Sequence, residues 1–160
     1  MKEFSSKRLR EKIFDVQKKW ANGIVRIGKA YREKKDYVKL TNEFLDNLYY
    51  FEQGKVLFKP TKAIHKQFRR NKNEFISYFI GYNPVSEEDK GFALEPWKKI
   101  SFQNFDYSVF ENVFLSLGNY FFTDYRDKEI KVEYSFGYIL NRENELRIIY
   151  HHSSIPYKKS

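Results

Sequence analysis

Leu146-Arg147-Ile148-Ile149-Tyr150-His151-His152-Ser153-Ser154-Ile155-Pro156 is an apolar run that ends in two histidines and two hydroxyls before a proline stops it. The first half reads as a β-strand. A strand collects polar side chains at its end only where they reach water, a ligand or one another, because a buried unpaired polar group costs about 1–3 kcal/mol. The cluster is therefore either a wet strand end or the wall of a polar pocket. Leu146, Ile148 and Tyr150 alternate with Arg147, so they share the face turned to the core. Carried forward, the alternation puts His152 and Ser154 inside and His151 and Ser153 outside. A slip of one residue reverses that assignment.

Upstream, residues 98–105, 112–123 and 129–141 repeat the period of two, with hairpin-length links at 124–128 and 142–145. Ile130, Val132, Tyr134, Phe136, Tyr138 and Leu140 make one apolar face opposite Lys131, Glu133 and Ser135. Before the turn-rich residues 81–90 the period is that of helices. Leu9, Ile13, Val16, Trp20, Ile24, Ile27 and Tyr31 form one stripe on a long helix, about residues 6–33, opened by Ser5 or Ser6 as cap. A second helix over residues 36–50 buries Tyr37, Leu40, Phe44 and Leu48. Val56-Leu57-Phe58 is a short extended segment stopped by Pro60. A third helical region follows, in which Asn71 and Glu74 resemble a capping box before Phe75, Ile76, Phe79 and Ile80. Helices first and antiparallel strands after is the α+β pattern, with the helices laid on one face of a curved antiparallel sheet.

At 160 residues the chain reads as one domain, 1–160, long enough to build a core. Aromatics make up 19% of it, which excludes a disordered basic tail. Cysteine is absent. That excludes disulfides, thiolate chemistry and cysteine-based zinc sites, and fits a reducing cytoplasm. No segment approaches the ~20 apolar residues of a membrane span, and the first residues lack the apolar run of a secretory signal. Residues 1–75 carry 20 Lys/Arg against 9 Asp/Glu, and the remainder 10 against 12. With no nucleic-acid motif beside that charge, solvated helix faces are the expected explanation, and nucleic acid is not the expected partner.

This order of elements, closed by a His/Ser cluster, resembles the nuclear-transport-factor-2-like (NTF2-like) superfamily, and within it the association domains of calcium/calmodulin-dependent kinase II. His151-His152-Ser153-Ser154, followed by Pro156, is similar to the signature of the iota-class carbonic anhydrases. Some members of that class work without metal, and at least one is associated with manganese. Leu57-Phe58-Lys59-Pro60-Thr61, Ser77-Tyr78-Phe79, Gly118-Asn119-Tyr120-Phe121-Phe122 and Val132-Glu133-Tyr134 agree with it. The likeness covers about residues 30–157, and the first helix carries no diagnostic motif. It implies an NTF2-like cone, a homodimer, and a small polar pocket between helices and sheet that holds carbon dioxide or bicarbonate. Carried over by motif, Thr61, Tyr78, His152 and Ser154 are the catalytic residues, and Thr61, Tyr78, Ser153 and Ser154 bind substrate. No cofactor is implied, with manganese and zinc left open. The alternative on the same fold is a non-catalytic association or small-ligand module.

Physical chemistry constrains that implication. A zinc site that acidifies water needs three ligands, yet the histidines are His65, His151 and His152, and neighbours on a strand face opposite ways. Without metal, a pocket must aim donors at the oxygens that gain charge, one such donor being worth about 2.7–4 kcal/mol. Thr61, Tyr78 and Ser154 offer three hydroxyls, and neutral His152 could orient a water or accept its proton. Each has a plainer reading. Thr61 can cap the third helix, Tyr78 can be a core tyrosine, and His152 can be structural. His65 reads as a solvated residue on a basic helix, and Tyr120-Phe121-Phe122 as core and sheet surface.

Overall fold

The computed structural model describes residues 6–160. Helix α1 (Ser6–Arg32) buries Leu9, Ile13, Val16, Trp20, Ile24 and Ile27, so the stripe read from the sequence is its core face. Tyr31, at the end of the stripe, is instead exposed and meets Tyr37 edge-on. Ser5 and the side chain of Ser6, one of them the expected cap, lie outside the described residues. Helix α2 (Tyr37–Leu48) is capped by Asp36, whose carboxylate accepts the Lys39 N–H at 2.9 Å. It packs close to α1 because Gly23 leaves room. A Cβ at that position would lie 2.4 Å from the Phe44 ring.

After strand β1 (Leu57–Lys59) the expected helix does not start. Residues 60–71 are irregular, and helix α3 (Lys72–Ile80) begins only at Asn71, whose side chain accepts the Glu74 N–H at 3.0 Å. Thr61 therefore caps nothing, and His65 sits in a loop. Distant partners explain the difference. The Glu88 carboxylate accepts the backbone N–H groups of Ile64, His65 and Lys66, at 2.7, 3.1 and 2.9 Å. These bonds satisfy donors that a helical turn would have used. Arg69 then pins the loop's far end through a buried, bidentate pair with Asp89, at 2.7 and 2.9 Å. The Glu74 carboxylate takes the Arg70 N–H at 2.7 Å, one residue before the position a capping box uses.

Strands β2 (Trp97–Phe110), β3 (Val113–Asp124), β4 (Glu129–Leu140) and β5 (Leu146–Ser154) form an antiparallel meander. β1 adds to the free edge of β5 in parallel, Phe58 opposite His151, giving the order β1-β5-β4-β3-β2. The sheet is thus mixed rather than purely antiparallel. Its inner face carries Val132, Tyr134, Phe136 and Tyr138 from β4 into a core centred on Trp20.

One irregularity decides what β5 presents. Gly137 pairs with Tyr150 but Tyr138 pairs with Ile148, so Ile149 is a β-bulge with no partner. The extra residue inverts the alternation beyond it. Leu146 and Ile148 are buried, Tyr150 is 39% exposed, and His151 and Ser153 are each 1% exposed. His152 and Ser154, expected inside, lie on the outer face, and Ser154 bonds Glu133 there at 3.2 Å.

Candidate active site

Between the helices and the inner face of the sheet lies a cavity of about 10 Å³, walled by the rings of Trp20, Phe58, Phe79 and Phe92. Its polar lining is Thr61, Tyr78, Tyr120, His151 and Ser153. Four elements and one loop deliver these groups: α3 brings Tyr78, β3 Tyr120, β5 His151 and Ser153, α1 Trp20, and the loop after β1 Thr61.

The polar groups form one hydrogen-bonded chain. Trp20 Nε1–H donates to the Tyr49 hydroxyl at 2.9 Å, and that hydroxyl meets His151 Nδ1 at 3.0 Å. His151 Nε2 lies 3.3 Å from the Tyr120 hydroxyl, which donates to Ser153 Oγ. Ser153 Oγ in turn bonds Thr61 Oγ1. Indole can only donate, so the Tyr49 oxygen is the acceptor at that end. In the arrangement that gives every hydroxyl proton an acceptor, Tyr49 donates to Nδ1, the imidazole carries its hydrogen on Nε2, Tyr120 donates to Ser153, and Ser153 to Thr61. Beside Thr61, the Tyr78 hydroxyl accepts the Lys62 N–H at 3.3 Å and keeps its own proton to donate. The Lys59 ammonium holds the Ser153 carbonyl at 3.1 Å.

Burial sets the charge state of this chain. Desolvation pushes the Tyr49, Tyr78 and Tyr120 phenols well above their ordinary value, so all three are neutral donors rather than phenolates. Desolvation, with His152 adding to it, holds His151 well below the usual imidazole range. Stacked at 4.6 Å on Phe58 and packed at 4.3 Å against Phe136, His151 is a neutral relay rather than a store of charge. His152, on the outer face, is also lowered by desolvation and by Lys59, against a small opposing pull from Glu133.

The structure thus brings together Thr61, Tyr78 and Ser153 from the expected set and leaves out His152 and Ser154. It adds His151, Tyr120, Tyr49 and Trp20. Tyr120 reads as core in sequence because its ring is core, and nothing local reports what its hydroxyl meets. Below the cavity, Ser77 donates to Asp89 and anchors α3 on the Arg69–Asp89 pair. Among the described residues no group of three His, Cys, Asp or Glu is arranged to hold a metal ion. A larger cleft of about 610 Å³ runs between α1, α2 and the β4–β5 turn, but none of the chain's hydroxyls line it. Three of its charges have partners of their own, Lys19 with Asp15 at 2.8 Å and Lys12 with the Asn144 carbonyl at 2.6 Å.

The fold and the pocket define the class: a helix-covered NTF2-like cone enclosing a buried cluster of hydroxyls. Two structures share the fold alone. One is an NTF2-like superfamily protein from Salmonella enterica, with TM-score 0.60, 12% identity, and 98% of this chain and 96% of that one covered. The other is a Xanthomonas campestris protein described as a calcium/calmodulin-dependent protein kinase II association domain, with TM-score 0.63, 18% identity, and 98% and 91% covered. The family of metal-independent carbonic anhydrases matches residues 11–155, and this chain belongs to it. A metal-independent carbonic anhydrase from Nostoc is 34% identical over 150 residues, covering 92% of this chain and 73% of the relative. The iota-carbonic anhydrase of a cyanobacterium, solved in complex with bicarbonate, superposes with TM-score 0.88 at 32% identity, with 93% of each chain covered. Family membership sets the enzyme above the association module.

Proposed function

We propose that this chain hydrates carbon dioxide reversibly in the cavity bounded by Thr61, Tyr78 and Ser153, using hydroxyl donors where other anhydrases use a metal. One observation carries the reading: the buried chain of hydrogen-bonded polar groups ends at the cluster of hydroxyls in that cavity. Carbon dioxide is larger than the cavity. Binding therefore separates the Thr61, Ser153 and Tyr78 hydroxyls, which exchange bonds with one another for bonds to the substrate oxygens. Water then attacks the carbon. The new C–O bond forms as a carbon–oxygen π pair moves onto an oxygen facing those donors, and the proton leaves to solvent. Each donor strengthens its bond as that oxygen gains charge, which is the condition for lowering the barrier. Neutral His151 holds the Tyr120 and Ser153 hydroxyls in donating orientation.

Stopped-flow hydration of carbon dioxide after exhaustive chelation tests the reading. Turnover above the buffer rate supports it. No rate, or a rate that appears only when manganese or zinc is restored, refutes it. The same reading makes the protein a cytoplasmic homodimer. Leu57, Tyr150, Leu115 and Leu117 expose apolar surface on the outer face of the sheet, area suited to a second copy. A monomer by light scattering at micromolar concentration contradicts the dimer. No described helix is long and apolar enough to cross a membrane.

A further inference from the structure

Hydration of carbon dioxide releases a proton for every bicarbonate formed, and a buried site must let that proton out. The inner end of the hydrogen-bonded chain is closed. It stops at Trp20, which is 1% exposed and whose indole can donate but not accept. His151, midway, is fully enclosed between aromatic rings. The way out must lie on the Thr61–Tyr78 side.

A carboxylate stands there. Glu95 follows the short helical turn Phe92–Leu94, and Phe92 stacks on the Tyr78 ring at 5.6 Å. One oxygen of Glu95 accepts the Lys62 ammonium at 2.6 Å, while the backbone N–H of the same Lys62 is the group bonded to the Tyr78 hydroxyl. The other oxygen, Oε2, is buried and has no hydrogen-bond partner. The Glu95 side chain is 35% exposed, so the carboxylate spans the boundary between the pocket wall and solvent. The Tyr78 phenol also feels its charge, though burial acts on that phenol more strongly. An orphaned carboxylate oxygen at such a boundary is an acceptor without a donor. The Lys62 pair anchors its sister oxygen and keeps it oriented.

Resting on the anhydrase reading of the same pocket, we propose that Glu95 is the proton-exit residue. Its Oε2 takes the proton released as water adds to carbon dioxide, by way of water at the Thr61–Tyr78 edge, and passes it to bulk buffer. The balance is closed: carbon dioxide and water give bicarbonate bound at the hydroxyls and one proton on the carboxylate, and buffer then removes that proton.

Glu95→Gln keeps the shape and removes the acceptor, and stopped-flow hydration reads the result. In dilute buffer kcat falls by roughly 10²-fold, the low end of what a positioned proton-transfer group contributes. kcat/KM for carbon dioxide stays unchanged, and concentrated imidazole restores kcat. Two outcomes overturn the proposal: kcat unaffected in dilute buffer, or kcat and kcat/KM falling together with no rescue by imidazole. Lys62→Met supplies the control should the amide variant misfold. It removes the anchor that orients the carboxylate, so turnover falls in dilute buffer and returns in concentrated imidazole, whereas an ion pair needed only as a clamp on the fold lowers turnover in every buffer. An unmodified chain without hydration activity is a failure of the anhydrase reading itself and is seen before either variant is made.

Discussion

Replacing Ser153 by alanine tests the register and the mechanism in one experiment. Ser153 Oγ sits between the Tyr120 and Thr61 hydroxyls, and its side chain is 1% exposed. Without it, Tyr120 keeps the 3.3 Å contact with His151 Nε2 but loses its bond to Ser153, and so does the Thr61 hydroxyl. Two polar groups left short of partners cost about 1–3 kcal/mol. For a chain of this length, that lowers Tm by about 2–4 °C per kcal/mol, several degrees in all. Turnover falls much further. Losing one donor aimed at a developing oxyanion costs about 10²–10³ in kcat, equivalent to about 2.7–4 kcal/mol. Ser154→Ala is the matched control, because it removes only a 3.2 Å bond to Glu133 on the outer face. It should leave stability within about 0.5 kcal/mol and activity intact. Stopped-flow carbon dioxide hydration and thermal unfolding followed by circular dichroism measure both quantities on the same preparations. An inactive Ser154→Ala beside a normal Ser153→Ala refutes the inverted register, and full activity in both removes the hydroxyl cluster from the mechanism.

Tyr78→Phe and Thr61→Val each delete a cavity hydroxyl and keep the shape, so kcat should drop by about 10²-fold in each. In Tyr78→Phe the stacking on Phe92 and the contact with Phe79 survive and the 3.3 Å bond from the Lys62 N–H is lost, so the Tm should fall by about 2–4 °C, and a large loss of stability with normal kcat contradicts the assignment. His151 couples folding to pH with a definite sign. Above the ordinary value of 6.5 it is neutral in folded and unfolded chains alike; below it only the unfolded chain takes the proton. Stability is therefore lost as pH falls from 6.5 toward the depressed native value, by about 1.4 kcal/mol per pH unit. A Tm that stays flat on acidification to about pH 5.5, above the carboxylate range, refutes this. Arg69→Leu strands the buried Asp89 carboxylate and should cost about 3–5 kcal/mol in denaturant unfolding, and a loss under 1 kcal/mol rules out a structural role for the pair.

What the sequence could and could not disclose follows from how local each signal is. The α1 stripe from Leu9 to Ile27, the Asn71 cap and the β4 alternation all depend on neighbours within four residues, and all stand in the structure. The segment 60–71 reads as helix because nothing within it shows that Glu88 will bind its N–H groups from more than twenty residues away. Parallel pairing of Phe58 with His151 is equally invisible, since it joins residues nearly a hundred positions apart. Thr61 and Tyr78, which line the cavity, sit in short motifs legible in the sequence. The choice between the two histidines and between the two serines hinged on Ile149, whose bulge is set by pairing across to Gly137 and Tyr138. Alternation carries no mark of such an extra residue. The Tyr49 and Trp20 ends of the chain were hidden for another reason: their hydroxyl and indole meet only after α1, α2 and β5 have come together.

The doubling in His151-His152-Ser153-Ser154 has a consequence for how robustly this pocket is encoded. A strand end with one histidine and one serine would lose both from the interior if its frame moved by one position. Here either frame delivers an imidazole and, two residues on, a hydroxyl to the same wall. The text of the strand reads alike from two starting points, so a mispaired edge still carries the pocket's chemistry inward. The spare copies are not idle, because Ser154 engages Glu133 and His152 lies across from Ser135 on β4 and Lys59 on β1. Redundancy of this kind lets the edge strand shift its pairing by one residue while the interior keeps the same composition.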